Sequence, residues 1–334
     1  MSKIKKITIV GDGGWGTTLA IHCFQKSYAV SIWGAFPEYI GQLKKNRVNS
    51  KFLPGVRIPD GIDITSSLEE ALSGADVTVL AVPSQFMRSV ISKMSTLDLP
   101  GSLFISVTKG IENRTLKRMS EVAEEVLGSF PFGVLSGPTI AQEVAAGIPT
   151  TAVAASKEPG TAKLIQDIFS TDRFRVYVNT DVIGVELGGS LKNIVAIAAG
   201  ISDGLGFGTN AKAALLTRGL AEIVRLGVAM GADRETFFGL SGLGDLATTC
   251  MSRYSRNRTF GEEIGKKKRP KDILKATEMV IEGVTTARSA FELSKKYSVE
   301  MPIIEQIHAI LYENKDPVAA VHDLMTRSPK SEVW

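Results

Sequence analysis

The first pattern that could do chemistry is a glycine-rich segment near the N-terminus, residues 11–16, which reads GDGGWG and fits the spacing G-x-G-x-x-G. It follows a predicted strand and opens a predicted helix, which is the context that a dinucleotide-binding loop requires. In such a loop Gly11 permits the tight turn, Gly13 lets the backbone approach a pyrophosphate, and Gly16 lets the helix pack closely on the sheet. A glycine-rich turn that binds nothing is the alternative interpretation.

A second pattern is a lysine within a helix that is otherwise mostly apolar. Lys192 lies in residues 188–197, GGSLKNIVAI, where apolar or small side chains cover most of the circumference. A helix of this kind is buried. Burial of an ammonium group lowers its pKa, so that the group can act as an acid or a base. The alternative is a structural ion pair with Glu186 or another buried acid.

Another lysine, Lys109, follows an apolar predicted strand in residues 107–110, VTKG. Ligands in parallel α/β sheets bind outside the carboxyl ends of the strands, so its ammonium group would face the same cleft as the glycine-rich loop. There it could hold a phosphate or a carbonyl oxygen. A surface lysine is the alternative interpretation.

A further cluster lies in the second half of the chain. Residues 242–250 place Asp245 among small residues, and Ser255, Arg256 and Asn257 follow in direct succession. Arginine binds phosphate bidentately, and serine and asparagine add neutral hydrogen bonds, so the cluster would suit a ligand with a phosphate and a hydroxyl group. A helix cap at Ser255 with the arginines in solvent explains the same residues. The spacing does not decide between the two interpretations.

The choice between NADH and NADPH should be visible at the end of the second strand, where an acid favours the former and a nearby arginine the latter. That strand ends in residues 33–36, WGAF, which contain neither. Glu38 and Arg47 lie further along, and each is more simply explained as a solvated surface residue. The residues therefore leave the cofactor preference open.

The elements that must position these residues change in character near residue 180. Before it, short apolar runs alternate with helix-like segments, which predicts a parallel sheet covered on both faces. After it, helical periodicity dominates. We therefore predict an α/β, Rossmann-like, doubly wound domain at residues 1–180, an all-α domain at residues 181–334, and a cleft between them. The predicted strands are 4–10, 29–33, 76–82, 102–107, 132–135, 151–155 and 174–178. The predicted helices include 15–27, 84–94 and 114–127 in the first half, and are 182–203, 210–230, 254–265, 284–297, 302–312 and 316–326 in the second.

Composition and charge disfavour several other classes of protein. The 334 residues suit two domains of roughly 150 residues each. A net charge of +4, from 39 Lys and Arg against 35 Asp and Glu, predicts neither a nucleic-acid nor a membrane surface. The chain has three histidines, which disfavours a metal site, and two cysteines, Cys23 and Cys250, which predict a reducing, cytoplasmic compartment. Residues 182–201 look membrane-like, but the uncharged run at 193–202 is about half of the roughly 20 residues that span a bilayer.

Taken together, the motifs resemble those of the bacterial-type NAD(P)-dependent glycerol-3-phosphate dehydrogenases. The resemblance extends over nearly the whole chain, and so many landmarks in the same order make it specific. The sequence departs from the family pattern at Gly14, where relatives commonly have Ala or Ser, and at Ala35, where relatives often have a longer polar or basic side chain. The landmarks are GDGGWGT at 11–17, FLPG at 52–55, VPS at 82–84, TKG at 108–110, SGPT at 136–139, GVEL at 184–187, LKN at 191–193, GDL at 244–246, SRN at 255–257 and EG at 282–283.

This resemblance implies a 6-phosphogluconate dehydrogenase-like fold and a cytoplasmic homodimer. It also implies NADH- or NADPH-dependent reduction of dihydroxyacetone phosphate to sn-glycerol 3-phosphate, for phospholipid synthesis, with Lys192 as the general acid/base. The cofactor would contact Gly11, Gly13, Gly14, Trp15, Gly16, Ala35, Lys109, Ala141, Arg256, Val280 and Glu282. The substrate would be held by Lys109, Gly137, Thr139, Lys192, Asp245, Ser255, Arg256 and Asn257.

Two alternative functions remain open on the residues alone. A two-domain dehydrogenase that acts on a β-hydroxy acid would also use a lysine in the cleft, but it would have less need of the cluster at residues 255–257. A nucleotide-sensing module without turnover would bind the cofactor tightly but would not oxidise it, whichever ketone is supplied. A charge buried in an apolar helix, as expected for Lys192, argues against the sensor.

Overall fold

The strands form from short apolar runs, many of them β-branched, because such side chains pack well on a sheet that is covered on both faces. The computed structural model describes residues 4–97, 99 and 103–332. Its strands are β1 Lys6–Val10, β2 Ala29–Trp33, β3 Asp63–Thr65, β4 Val77–Leu80, β5 Leu103–Ser106, β6 Phe132–Ser136, β7 Thr150–Ala155 and β8 Phe174–Asn179.

These strands form one sheet in the order β3-β2-β1-β4-β5-β6-β7-β8. The order reverses between β1 and β4, so their carboxyl ends flank the crevice in which doubly wound folds bind ligands. The predicted parallel arrangement holds from β1 to β6 but not beyond, because β7 runs antiparallel to β6 while β8 is parallel to β7. The connection from β6 to β7 contains only a five-residue helix, which does not carry the chain back across the sheet, so β7 begins at the edge where β6 ends.

Helices pack on the sheet in the first half of the chain and make up the second half. Ile9 and Leu19 belong to the core on one face of the sheet, and Val10 and Met87 belong to the core on the other. The predicted fold class, a Rossmann-like half followed by a helical half, is confirmed. The helices are α1 Gly14–Gln25, α2 Pro37–Asn46, α3 Leu68–Leu72, α4 Met87–Met94, α5 Met119–Leu127, α6 Ala141–Ala145, α7 Pro159–Phe169, α8 Val182–Gly204, α9 Thr209–Ala229, α10 Asp245–Met251, α11 Arg256–Gly265, α12 Pro270–Ala276, α13 Glu282–Lys296, α14 Pro302–Tyr312 and α15 Pro317–Met325.

Some predicted bounds differ from the structure. The helix predicted from residue 114 begins only at Met119, because Leu116 has a φ of +60° and Ile111 forms a β-bridge with Arg118. Residue 102 of one predicted strand lies outside the described residues, as do the outer domain limits at 1 and 334. The chain passes from strands to helices between Asn179 and Val182, and the division into domains at 180 stays a prediction.

Helix α8 is the central element of the helical half. By length and composition it could cross a membrane, but 94% of its apolar window is buried inside the protein, as expected for the core helix of a soluble protein. Its close contact with α11 depends on glycine. A Cβ on Gly200 would lie 1.9 Å from the Arg258 carbonyl oxygen, and one on Gly261 would lie 2.1 Å from the Ile197 carbonyl oxygen.

The two cysteines are buried free thiols, one in each half of the chain. Cys23 lies in α1 and Cys250 in α10. Burial raises the pKa of each thiol to about 12. Both side chains therefore act as small apolar core residues.

Candidate active site

The glycine-rich loop joins the carboxyl end of β1 to α1, at the crevice of the sheet. Gly11 has a φ of +132°, and a Cβ on it would lie 2.6 Å from the carbonyl oxygen of Ala81, just after β4. A Cβ on Gly16 would lie 2.2 Å from the Gly11 carbonyl oxygen, whereas nothing lies within 4 Å of one on Gly13. The loop is therefore crowded where the backbone packs on itself and open at Gly13, where a pyrophosphate would meet the N-terminus of α1.

Two polar side-chain atoms of this loop, Asp12 Oδ2 and Trp15 Nε1, are buried without a hydrogen-bond partner. Buried polar groups are normally hydrogen bonded, so an unused acceptor and an unused donor beside an open loop fit a polar ligand. Together with the space at Gly13, they fit a nicotinamide dinucleotide. A Cβ on Gly14 would lie 2.4 Å from the Phe52 carbonyl oxygen, so glycine there lets the segment at Phe52 pack on the loop.

The other predicted cofactor positions surround this loop. Ala35 is exposed and directly follows Gly34. A Cβ on Gly34 would contact the Asp12 side chain. The Ala141 carbonyl oxygen accepts a hydrogen bond from Thr18 Oγ1 of α1 at 3.2 Å. Val280, half-buried, lies in the segment just before α13. Glu278 of the same segment forms an ion pair with Lys51 at 2.5 Å, which places the segment near the loop that packs on Gly14.

Lys192, Asp245 and Lys109 form one charged cluster where α8, α10 and the end of β5 meet. The Lys192 ammonium group donates to Asp245 Oδ1 and, at 2.7 Å, to Thr249 Oγ1. Lys109 Nζ donates to the other carboxylate oxygen of Asp245, Oδ2, at 2.6 Å. The side chains of Lys192 and Asp245 are 7% and 2% exposed. Two ammonium groups share one buried carboxylate, which leaves an excess of positive charge in the cluster.

The protonation of Lys192 reflects this environment. Burial lowers its pKa to about 8; the Asp245 carboxylate opposes the shift, and the Lys109 ammonium group adds to it. A group whose pKa lies near the working pH can both donate and accept a proton. The acid that pairs with Lys192 is Asp245 rather than Glu186.

Glu186 instead pairs with Arg118, and the contact joins the sheet half to α8. Glu186 Oε2 accepts hydrogen bonds from Arg118 Nη1 and Ser120 Oγ, each at 2.6 Å, and Oε1 accepts one from the Ser120 backbone N–H at 2.8 Å. Arg118 is 9% exposed and Glu186 6% exposed. This buried ion pair fixes the N-terminus of α5 against the helical half.

The turn after β6 supports the charged cluster. The Gly137 carbonyl oxygen accepts hydrogen bonds from Lys109 Nζ at 3.0 Å and from Thr139 Oγ1 at 3.2 Å. Gly137 has a φ of +130°, which favours glycine, and a Cβ on it would lie 3.1 Å from Ala152 Cα. Lys109, Gly137 and Thr139, all predicted substrate residues, thus belong to one hydrogen-bond network with Asp245.

The start of α11 contains the predicted Ser255–Asn257 cluster. Ser255 Oγ accepts a hydrogen bond from the Arg258 backbone N–H at 3.2 Å, so the helix-cap interpretation holds for this residue. Asn257 Nδ2 donates to Asn193 Oδ1 at 2.9 Å, and Asn257 Oδ1 accepts from the Gly283 backbone N–H at 2.9 Å. Asn257 thereby joins α8, α11 and α13, and it fixes α11 next to the residue that follows Lys192.

Arg256 and Glu282 lie near each other at the same end of the helical half. Glu282 accepts hydrogen bonds from the Ser84 hydroxyl group at 2.6 Å and from the Ser84 backbone N–H at 3.0 Å. Burial raises the pKa of Glu282, and both Ser84 and Arg256 oppose that shift. Since Ser84 follows β4, this contact connects the crevice of the sheet to the N-terminus of α13.

The sequence predicted no specific role for several residues that contribute to this site. Thr249 lies four residues after Asp245, so its position on the same helix face was a usable signal. Ser84 lies at the end of a predicted strand, where ligands bind. No local sequence pattern indicated that Arg118 pairs with Glu186, because the two residues are 68 positions apart.

A cavity of about 460 Å³ opens between α6 and the segment that follows α10. Its lining includes Ile140, Thr248 and Tyr254, which are sequence neighbours of Thr139, Thr249 and Ser255. Within residues 4–97, 99 and 103–332, no three His, Cys, Asp or Glu side chains are grouped so as to hold a metal ion.

Known proteins resemble this chain over nearly its full length. The family described as NAD-dependent glycerol-3-phosphate dehydrogenase matches with its N-terminal part at residues 6–162 and its C-terminal part at residues 181–322. A protein of Prosthecochloris aestuarii, named glycerol-3-phosphate dehydrogenase, NAD(P)+, is 51% identical over 330 residues, which are 98% of this chain and 99% of the relative.

Two solved structures extend the comparison to the fold. Glycerol-3-phosphate dehydrogenase from Coxiella burnetii is 40% identical, with a TM-score of 0.94 over 97% of this chain and 99% of that chain. A PanE/ApbA family ketopantoate reductase from Ralstonia eutropha, 14% identical with a TM-score of 0.62 over 95% of this chain and 100% of that chain, shares the fold alone. The chain belongs to the NAD-dependent glycerol-3-phosphate dehydrogenase family.

Proposed function

We propose that this protein reduces dihydroxyacetone phosphate to sn-glycerol 3-phosphate with NADH or NADPH, and that it also catalyses the reverse reaction. The observation that carries the proposal is the buried cluster in which Lys192 and Lys109 share the carboxylate of Asp245. The cluster combines a proton donor of lowered pKa with excess positive charge. Both suit a phosphorylated ketone.

The positive groups of the site account for substrate binding in this proposal. Arg256, in the first turn of α11, offers a guanidinium group and a helix N-terminus to the substrate phosphate, with Ser255 and Asn257 beside it. Lys109, fixed by Gly137 and Asp245, orients the substrate near Lys192. The glycine-rich loop holds the dinucleotide on the other side of the cleft.

The chemistry that bound NADH or NADPH supplies is hydride transfer to the carbonyl carbon of the substrate. During this transfer, negative charge grows on the carbonyl oxygen, and Lys192 donates a proton to it. Asp245 and Thr249 hold the Lys192 ammonium group in position by accepting its other hydrogen bonds. In the reverse reaction, neutral Lys192 takes the proton from the hydroxyl group of sn-glycerol 3-phosphate.

The test is nicotinamide absorbance with dihydroxyacetone phosphate, run with each cofactor in parallel on the wild type and on Lys192→Ala. We expect oxidation of the cofactor that depends on the ketone phosphate. We also expect kcat to fall about 10²- to 10⁴-fold in Lys192→Ala, because general acid catalysis typically contributes that much, while cofactor affinity is unchanged.

The matched control is Lys93→Ala, which removes an exposed lysine from α4 and should leave kcat unchanged. Near-normal turnover by Lys192→Ala would exclude Lys192 as the proton donor. If the wild-type protein binds a cofactor but does not oxidise it when dihydroxyacetone phosphate is added, the proposed reaction is refuted.

We further propose that the protein acts in the cytoplasm as a homodimer and supplies sn-glycerol 3-phosphate for glycerophospholipid synthesis. The reducing compartment is supported by two free cysteines. The dimer and the pathway are supported by family membership. Neither a nucleic acid nor a membrane is part of this proposal.

A further inference from the structure

Asp12 places a carboxyl group at the end of β2, although the residue belongs to the loop after β1. Gly34 directly follows β2, and a Cβ on Gly34 would lie 2.8 Å from both Cγ and Oδ2 of Asp12. The backbone of Asp12 is fixed, because its carbonyl oxygen accepts a hydrogen bond from Asn49 Nδ2 at 2.8 Å. The Asp12 side chain therefore lies over the end of β2.

This position is the one from which doubly wound folds recognise the adenosine ribose of a dinucleotide. An acid at the end of β2 normally accepts hydrogen bonds from the ribose hydroxyl groups, and a nearby arginine replaces it where the ribose carries a 2′-phosphate. In this chain Gly34 and Ala35 occupy the end of β2 and offer neither group. The carboxyl group present there comes from Asp12.

The Asp12 carboxyl group is also not fully hydrogen bonded within the protein. Its Oδ2 atom is buried and has no hydrogen-bond partner. Burial raises the pKa of Asp12, and its own backbone and Lys51 counteract this shift. A ligand that donates hydroxyl hydrogen bonds would supply the missing partner.

Lys44 and Lys45 lie in the last turn of α2, at the far end of that helix from Gly34, and the next two cations along the chain are bonded within the protein. Arg47 donates to the Ile62 carbonyl oxygen at 2.6 Å and to the Pro59 carbonyl oxygen at 3.3 Å. Lys51 forms its ion pair with Glu278. A 2′-phosphate at the end of β2 would therefore lie against the Asp12 carboxylate, while Arg47 and Lys51 are engaged elsewhere.

We propose that Asp12 replaces the missing acid of β2, accepts hydrogen bonds from the adenosine ribose hydroxyl groups of NADH and repels the 2′-phosphate of NADPH. Asp12 is thus a specificity-determining residue that makes the protein prefer NADH. The inference rests on the proposed function only in that the ligand is the cofactor of that reaction.

The test is equilibrium binding, measured by the fluorescence of NADH and NADPH without any substrate. We expect the wild type to bind NADH at least about tenfold more tightly than NADPH. One repulsive contact between a carboxylate and a phosphate raises the dissociation constant by about that factor. Asp12→Asn should bring the two dissociation constants together by tightening NADPH and weakening NADH. Glu38→Gln, which neutralises an exposed acid in the first turn of α2, should leave the ratio unchanged.

Three results would overturn the inference: wild-type preference for NADPH, an unchanged ratio in Asp12→Asn, or loss of the preference in Glu38→Gln. If Asp12→Asn does not fold, calorimetry of the wild type with ADP-ribose and with 2′-phospho-ADP-ribose measures the same preference, and tighter binding of the phosphorylated ligand would overturn the inference. These binding measurements contain no ketone and so do not depend on the reaction. A protein that shows the expected binding ratio but does not reduce dihydroxyacetone phosphate would refute the proposed reaction and leave the role of Asp12 standing.

Discussion

At the scale of single residues, the protonation of Lys192 sets the direction in which pH acts on the reaction. Reduction of the ketone needs the ammonium form, and oxidation of the alcohol needs the neutral amine. Because burial lowers the pKa of Lys192 to about 8, the rate of reduction should fall as pH rises through that value. The rate of oxidation should rise over the same interval, provided that the same group serves both directions.

Asp245→Asn tests this assignment. The Asp245 carboxylate raises the pKa of Lys192, so its loss should lower that pKa and move the falling limb of the reduction profile to lower pH by roughly one unit or more. The measurement is kcat/KM for dihydroxyacetone phosphate as a function of pH. Thr249→Val removes a hydrogen bond but no charge and should move the limb less. A limb that stays in place in Asp245→Asn would mean that another group donates the proton.

The residue types at the site could be identified from the sequence, but most of their contacts could not. Lys192 and Asp245 both stood out, yet they are 53 positions apart and only the fold brings them into contact. Asn257 was predicted as a polar ligand group, and its role in joining α8 to α13 depends on neighbours that a local pattern does not reveal. The residue types indicate which chemical groups the site contains, whereas the residues that contact one another are determined by the tertiary packing.

At the scale of elements, the contact between α8 and α11 positions the site. Lys192 lies on α8, and Arg256 and Asn257 lie at the start of α11. Gly200 of α8 and Gly261 of α11 let the two backbones touch where no larger side chain would fit. The distance between the proton donor and the proposed phosphate site therefore depends on glycine residues that contact neither.

Gly261→Ala tests this dependence. Its Cβ would lie 2.1 Å from the Ile197 carbonyl oxygen, so we expect a loss of about 1–3 kcal/mol in the free energy of unfolding and a higher KM for dihydroxyacetone phosphate. Gly41→Ala is the matched control. Gly41 lies in α2 with nothing within 4 Å of an added Cβ, and alanine there should stabilise the protein by about 0.5–1 kcal/mol. Equal stability of the two variants would contradict the packing argument.

Element types were predictable from the sequence for several segments with a strong hydrophobic period, although α7, with buried residues at 162, 165 and 168, is not among the named predictions. Strands such as β2, and helices such as α8 and α14, match their predicted bounds to within a residue or so. The three-residue strand β3 was missed because it is too short to show alternation. The direction of β7 was not predictable, since it depends on how the β6–β7 connection crosses the sheet and not on the residues of β7.

At the scale of the whole molecule, polar contacts join the two halves around the cleft. Glu186 binds Arg118 and Ser120 on one side, and Glu282 binds Ser84 on the other. Buried ion pairs are costly to break, because the remaining partner is left as an unpaired charge. These contacts should make the sheet half and the helical half unfold together.

Glu186→Gln tests this coupling. It removes the buried counter-charge of Arg118, which then keeps only the partly exposed Glu121, at 3.2 Å. We expect a loss of about 1–3 kcal/mol in the free energy of unfolding. The double variant Arg118→Met/Glu186→Gln should lose less than the sum of the two single variants, because it leaves no buried charge at the position of the pair. Urea denaturation of the four proteins measures this difference. Strictly additive losses would show that the pair contributes nothing as a pair.

The buried cysteines make the folded protein insensitive to mild oxidants. A thiol must ionise and be reachable before it reacts, and at a pKa of about 12 neither Cys23 nor Cys250 meets these conditions while its half is folded. Storage without a reducing agent should therefore be harmless to intact molecules. Any disulfide-linked material in an aged sample would mark chains that had unfolded.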